Sequence, residues 1–267
     1  MMSNRVEQKF EALKRAKKKG FIAYIGAGDP TLDVTRRLVI EFDRIGVDFV
    51  ELGIPFSDPL ADGAVNQRAA ERALSNGTTL RQVLDTVKEI RKSTQVPIIF
   101  FSYYNPIHHL GVETFVAEAA EAGVDGALIL DLPPEESSEY KTLMDMKDLS
   151  TVYLLAPTST DERIDLISRF SSGFIYYVSR EGVTGQQEKM SGGISSMVEK
   201  IRARSGMPVA VGFGIANPRL AAEVAAYADA VVVGSAIVSK VEEHAAAPDL
   251  VERVSEFVSQ LVKAVKQ

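Results

Sequence analysis

The chain has 267 residues with 30 Lys plus Arg against 36 Asp plus Glu, a formal charge of −6, and that balance argues against a nucleic-acid partner, which needs a basic face. Cysteine is absent, which excludes disulfides, thiolate nucleophiles and Cys-ligated zinc or iron–sulfur sites. The three histidines, His108, His109 and His244, lack the HExxH spacing of a His-built zinc site.

The first twenty residues have no apolar core of the kind a secretory signal carries. They are basic, but Glu7 and Glu11 are interspersed, and Val6, Phe10 and Leu13 follow helical spacing. This predicts a capping helix rather than a targeting segment, with lysines in its last turn complementing the helix dipole. Nowhere does an apolar run approach the length of a membrane span. A cytoplasmic location and no membrane partner are therefore expected.

Eight short apolar runs then recur: 21–26, 47–53, 97–104, 126–131, 151–157, 173–179, 208–214 and 228–235. Most are apolar on consecutive positions, as in parallel strands covered on both faces. Between them lie helical patterns at 64–75, 78–92, 112–122, 161–170, 194–204 and 218–227. Ser159 followed by Glu162 reads as a capping box before the 161–170 helix. Strand–helix units in this number and length predict an α/β fold, a (β/α)8 barrel in one domain over 1–267. The long interval after the second strand reads as an elaborated loop, on the face where barrel enzymes keep their chemistry.

The second strand carries an anomaly. By period two, Val47, Phe49 and Glu51 share one side, which projects Glu51 into the barrel mouth from a buried strand. Partial desolvation there raises a carboxyl pKa toward the range useful for acid–base catalysis. The alternative is a Glu salt-bridged at the barrel rim. Asp58 and Asp62 follow in IPFSDPLADG. Either can be a turn residue, while Asp62 facing Glu51 would allow divided acid and base roles. Asp29 and Asp131 end strands and fit either a site or a helix cap.

Gly212-Phe213-Gly214 and Gly234-Ser235 each close a strand before a helix, where backbone N–H groups and helix dipoles favour an anion. They also suit plain tight turns. The glycine-rich stretch 179–193 reads as a lid or a simple connection. GAGDP at 26–30 lacks the last glycine of a dinucleotide fingerprint. No Lys ends a strand, which argues against a Schiff-base aldolase.

The motifs ELGIPFSDPLADG (51–63), YYNPI (103–107), DLPPEE (131–136), SREGVTG (179–185), GFGI (212–215) and GSAIV (234–238) together resemble the tryptophan synthase alpha chain family, collinearly over nearly the whole chain. The resemblance implies cleavage of indole-3-glycerol phosphate to indole and glyceraldehyde 3-phosphate in L-tryptophan biosynthesis. It implies a beta chain partner in an α2β2 heterotetramer, with pyridoxal phosphate on the beta chain and no cofactor on this one. Carried over by motif, Glu51 is the acid–base group and Asp62 its partner at the indole nitrogen. Phosphate is expected at Gly185, Gly214, Gly234 and Ser235, with Phe213 beside it, and Tyr176 matches an active-site tyrosine. The partner surface is expected on the loops 55–59 and 105–111. Asn66, Ala64 and Gly26 depart from the family pattern, and the motif does not say whether Tyr103 or Tyr104 faces the ligand. A phosphate-sugar isomerase and a purely regulatory partner of a beta chain remain alternatives at this point.

Overall fold

The computed structural model describes residues 4–179, 187–212 and 214–267. Nine strands are formed, β1 (Gly20–Gly26), β2 (Phe49–Gly53), β3 (Ile98–Ser102), β4 (Gly126–Ile129), β5 (Ser150–Val152), β6 (Leu154–Leu155), β7 (Ile175–Val178), β8 (Val209–Gly212) and β9 (Ala230–Val233). They pair in the order β5-β4-β3-β2-β1-β9-β8-β7-β6, every pair parallel. Only Tyr153 separates β5 from β6, and its carbonyl accepts the Tyr176 N–H at 3.2 Å. One segment thus leaves β4 and joins β7, closing a barrel of eight staves whose fifth is split. This is the (β/α)8 barrel that the repeated runs predict.

The period-two reading of β2 holds from Phe49 onward. Phe49 packs with Ile22, Ile99, Leu128, Phe174 and Ala210 in the barrel interior, whereas Val50 and Leu52 join the outer core under the helices. Val47 belongs to that outer core too, because the strand begins only at Phe49. The helix Arg5–Ala16, capped by Asn4, lays Val6, Phe10 and Leu13 against the interior cluster. Phe10 stacks on Phe49 with ring centroids 4.5 Å apart. The N-terminal end of the barrel is closed this way, leaving the C-terminal end for a site.

A side chain at the start of every second stave ties the barrel together. Asp48, Asp125, Ser172 and Asp229 accept the backbone N–H of Phe21, Ile98, Thr151 and Val209, at 2.9, 2.7, 2.9 and 2.9 Å. Each acceptor precedes one strand and satisfies an amide at the start of the strand before it, where no ladder partner exists.

Helix boundaries depart from expectation in ways that capping explains. The helix Asp161–Phe170 starts as predicted, but its cap is Thr160, whose hydroxyl accepts from Arg163 N. Ser159 instead accepts from Ala156 N, so the expected capping box is not formed. The capping box lies at Thr79 and Gln82, ahead of Leu80–Arg91. Residues 105–111, read as a loop, are mostly the short helix Tyr104–Leu110, started by Asp131, which accepts the Tyr104 N–H at 2.7 Å.

Candidate active site

Glu51 stands one interior position beyond Phe49 on β2, between Tyr24 on β1 and Ile99 on β3 in register. It is fully buried, and neither carboxyl oxygen has a hydrogen-bond partner. The rim salt bridge considered from sequence is therefore absent among the described residues. Burial without a partner disfavours the charged form and pushes its pKa up to about 8. At neutral pH the group is mostly protonated, a proton donor buried in the barrel interior.

Two tyrosines flank it. Tyr24 was not singled out from sequence, although Ile22 and Tyr24 alternate in β1 as Phe49 and Glu51 do in β2 and a polar tip inside an apolar strand is itself a signal. Its ring packs edge-on to Phe101 at 5.1 Å. Tyr176 is half-buried in the interior near Leu154 and Leu130. Both side chains need glycine opposite: a Cβ at Gly53 would lie 2.3 Å from the Tyr24 hydroxyl, and one at Gly212 2.5 Å from that of Tyr176. Burial first, and then Glu51, raise both phenols above their usual range, with Asp62 acting more strongly than Glu51 on Tyr24. They remain O–H donors.

Asp62 sits in the elaborated loop, half-buried. The Tyr103 hydroxyl donates to its Oδ2 at 2.9 Å and Asn66 Nδ2 to its Oδ1 at 3.3 Å, while Tyr103 in turn accepts the Ala61 N–H at 2.9 Å. Burial raises the Asp62 pKa and these two donors oppose the rise. Of the two tyrosines left open by the motif, Tyr103 lines the cleft beside Asp62, while Tyr104 packs on His108. Asp62, Asn66, Tyr103, Phe101 and Tyr24 line one cleft. Asn66 Oδ1 is buried there without a partner.

The other aspartates divide clearly. Asp58 is exposed, and its carboxylate accepts from the Ser57 hydroxyl at 2.6 Å. Asp29 is buried and gripped by Arg72 at 2.8 and 2.9 Å, and the helix after it is capped by Thr31. Asp29 is thus neither a free acid nor a cap.

At the far side of the mouth, Gly234 leads into the helix Ser235–Glu243, whose N-terminus carries no side-chain cap. Free amides at such an end suit an anion. Gly214, with φ +71°, follows β8, the neighbour of β9. The helix behind it begins at Pro218, as expected, and is capped by Asn217, so its dipole is partly satisfied. Gly185 and Phe213 lie outside the described residues, as does the 180–186 part of the 179–193 stretch. Among the described residues there is no metal-binding cluster of His, Asp and Glu, and no helix long and apolar enough to cross a membrane.

A family model described as tryptophan synthase alpha chain matches residues 10–266. The tryptophan synthase alpha chain of Geotalea daltonii is 49% identical over 257 residues, covering 96% of this chain and 97% of that one. That of Geotalea uraniireducens is 46% identical over 263 residues, covering 98% of each. The crystal structure of tryptophan synthase subunit alpha from Legionella pneumophila matches with a TM-score of 0.91 at 37% identity, covering 98% of both chains. A match of this extent in sequence and in fold, around a barrel with an unpaired glutamate at its mouth, places the chain in the tryptophan synthase alpha chain family.

Proposed function

We propose that the reaction of this family, retro-aldol cleavage of indole-3-glycerol phosphate to indole and glyceraldehyde 3-phosphate, runs in this carbon–carbon lyase on Glu51 and Asp62. The observation that carries the assignment is a fully buried, unpartnered Glu51 in the interior of β2, with Asp62 in the neighbouring cleft wall.

The chemistry follows from the protonation states. Glu51, with a pKa near 8, starts as an acid and protonates the ring carbon that bears the side chain. Aromaticity is lost, and positive charge develops at the ring nitrogen, whose N–H donates to Asp62. As a carboxylate, Glu51 then takes the proton of the hydroxyl on the adjacent carbon. The carbon–carbon bond breaks, its electron pair restores the ring, and the aldehyde leaves. The delivered proton stays on the indole and the hydroxyl proton regenerates Glu51. Acid–base catalysis of this kind is worth about 10²–10⁴ in rate, with charge stabilisation by Asp62 in addition.

Phosphate would bind at Gly185, Gly214, Gly234 and Ser235 with Phe213 beside it, and Tyr176 would line the reacting end. The uncapped helix at Ser235 supports this. The family implies a beta chain partner. An α2β2 heterotetramer in the cytoplasm, with pyridoxal phosphate on the beta chain alone, is our extension of that, as is a single domain over 1–267. Residues 55–59 and 105–111 are the proposed contacts. Asp58, His108 and His109 are exposed there, and Leu60 beside them is 92% exposed. The test is indole release from indole-3-glycerol phosphate by wild type and Glu51→Gln, each alone and with a beta chain. Near-wild-type turnover by folded Glu51→Gln protein would remove Glu51 from the chemistry.

A further inference from the structure

We infer that Tyr24 is a further catalytic residue, whose hydroxyl contacts the linker hydroxyl of the substrate that loses its proton during cleavage. The inference rests on the proposed reaction, and three features of the barrel carry it.

The first is position. β1 lies between β2 and β9, so Tyr24 has Glu51 as its register partner on one side. On the other side its ring lies 3.4 Å from where a Cβ at Gly234 would stand. A substrate with its ring carbon at Glu51 and its phosphate at Gly234 must lay its three-carbon linker across this tyrosine.

The second is direction. The hydroxyl points over Gly53, where a Cβ would come within 2.3 Å of it. That is the β2 side, toward Glu51 and the Asp62 cleft, so the hydroxyl reaches the ring end of the linker rather than the phosphate end.

The third is an unused bonding capacity. Tyr24 is 8% exposed and lines the cleft, yet its hydroxyl has no hydrogen-bond partner among the described residues. Buried tyrosines ordinarily find one. Tyr103, its neighbour in the same cleft, has two, to Asp62 and Ala61. A polar tip left free beside an unpartnered acid is suited to a ligand oxygen. Donating to the linker oxygen, Tyr24 stabilises the charge that develops on it as Glu51 removes the proton, and the proton itself still goes to Glu51.

The test is Tyr24→Phe, which deletes one oxygen and keeps the ring packed on Phe101. Two ligands are used: indole-3-glycerol phosphate, and 3-indolepropyl phosphate, which has the ring, chain length and phosphate but no linker hydroxyl. The expected result is a kcat for cleavage lower by about 10- to 100-fold, the range for a hydrogen bond to a group acquiring charge. Affinity for the hydroxyl-free analogue should change less than about twofold. A merely structural tyrosine would weaken both ligands together, and that outcome overturns the inference, as does an unchanged kcat. If wild type itself releases no indole, with or without a beta chain, the reaction assignment fails instead.

Discussion

Glu51→Gln should silence the protein and stabilise it, by an amount that grows with pH. The side chain is fully buried with both oxygens unpartnered, and its pKa rises from 4.5 to about 8 on folding. The unfolded chain therefore gives up this proton from about pH 4.5, while the folded chain holds it until about pH 8. The favourable contribution is complete below the unfolded value and is lost as pH rises through the folded one. Each unit between them costs about 1.4 kcal/mol, giving about 3.5 kcal/mol from pH 5 to pH 8. Water reaching the carboxylate trims this, so about 2–4 kcal/mol is expected. Glutamine nearly preserves volume and does not titrate, and every pH-independent consequence of the swap cancels when the two proteins are compared across pH. Urea unfolding of wild type and variant at pH 5, 6, 7 and 8 reads the effect directly. The two curves should diverge upward with pH while indole release by the variant is lost. Parallel curves would show that Glu51 is not desolvated in solution, and curves converging with pH would show a cation beside it.

Three further outcomes follow from the contacts. Tyr103→Phe removes the donor at 2.9 Å from Asp62, so the Asp62 pKa rises further and the acid limb of the kcat/KM profile moves to higher pH; an unmoved limb would show that the phenol does not lower the Asp62 pKa. Arg72→Ala leaves Asp29, with a side chain 1% exposed, charged and unpaired, at a cost of about 3–5 kcal/mol, and a urea-derived loss below about 1 kcal/mol would contradict the pairing. Asp58→Ala should weaken beta chain binding by about 2–5 kcal/mol if a Lys or Arg of the partner is left unpaired, and unchanged affinity by calorimetric titration would take Asp58 out of the interface.

What the sequence made legible was whatever a period or a cap expresses locally. Consecutive apolar runs reported strands covered on both faces, and Phe49 with Glu51 reported the interior side of β2. Contacts between distant segments were not legible. Nothing near Asp29 announces Arg72, and nothing near Asp131 says that it starts the helix at Tyr104 rather than the helix that follows it. The split of the fifth stave at Tyr153 also escaped, since 151–157 reads as one run and only pairing with two different neighbours divides it. The repeated tie at Asp48, Asp125, Ser172 and Asp229 did leave a trace: GVD stands at both 46–48 and 123–125, and YAD at 227–229. A polar residue recurring just ahead of alternate apolar runs has no local reason to be there, and the closed barrel supplies one.

Pairing, more than position, separates the functional carboxylate from the structural ones. Among the described residues, the buried acidic side chains are Asp29, Asp48, Glu51 and Asp125. Asp125 is held by Arg5 at 2.7 Å, by Arg91 at 2.6 Å and by the Ile98 amide. Asp48 has Lys266 and the Phe21 amide, and Asp29 has both arms of Arg72. Each of these charges is compensated where it lies, which is what folding alone would favour. Asp29 lies three residues beyond β1 and Glu51 in the middle of β2, and in sequence only the motif around Glu51 favoured it over Asp29. The structure ranks them by what surrounds each: a guanidinium fork for the first, apolar side chains and two tyrosines for the second. Stability would favour an amide, an aliphatic side chain or a counter-cation for Glu51. An amide or an aliphatic group has no proton to transfer near neutral pH, and a cation beside the carboxyl would strip its proton too early. An isolated acid therefore persists at the one buried position where releasing and recovering a proton is the task.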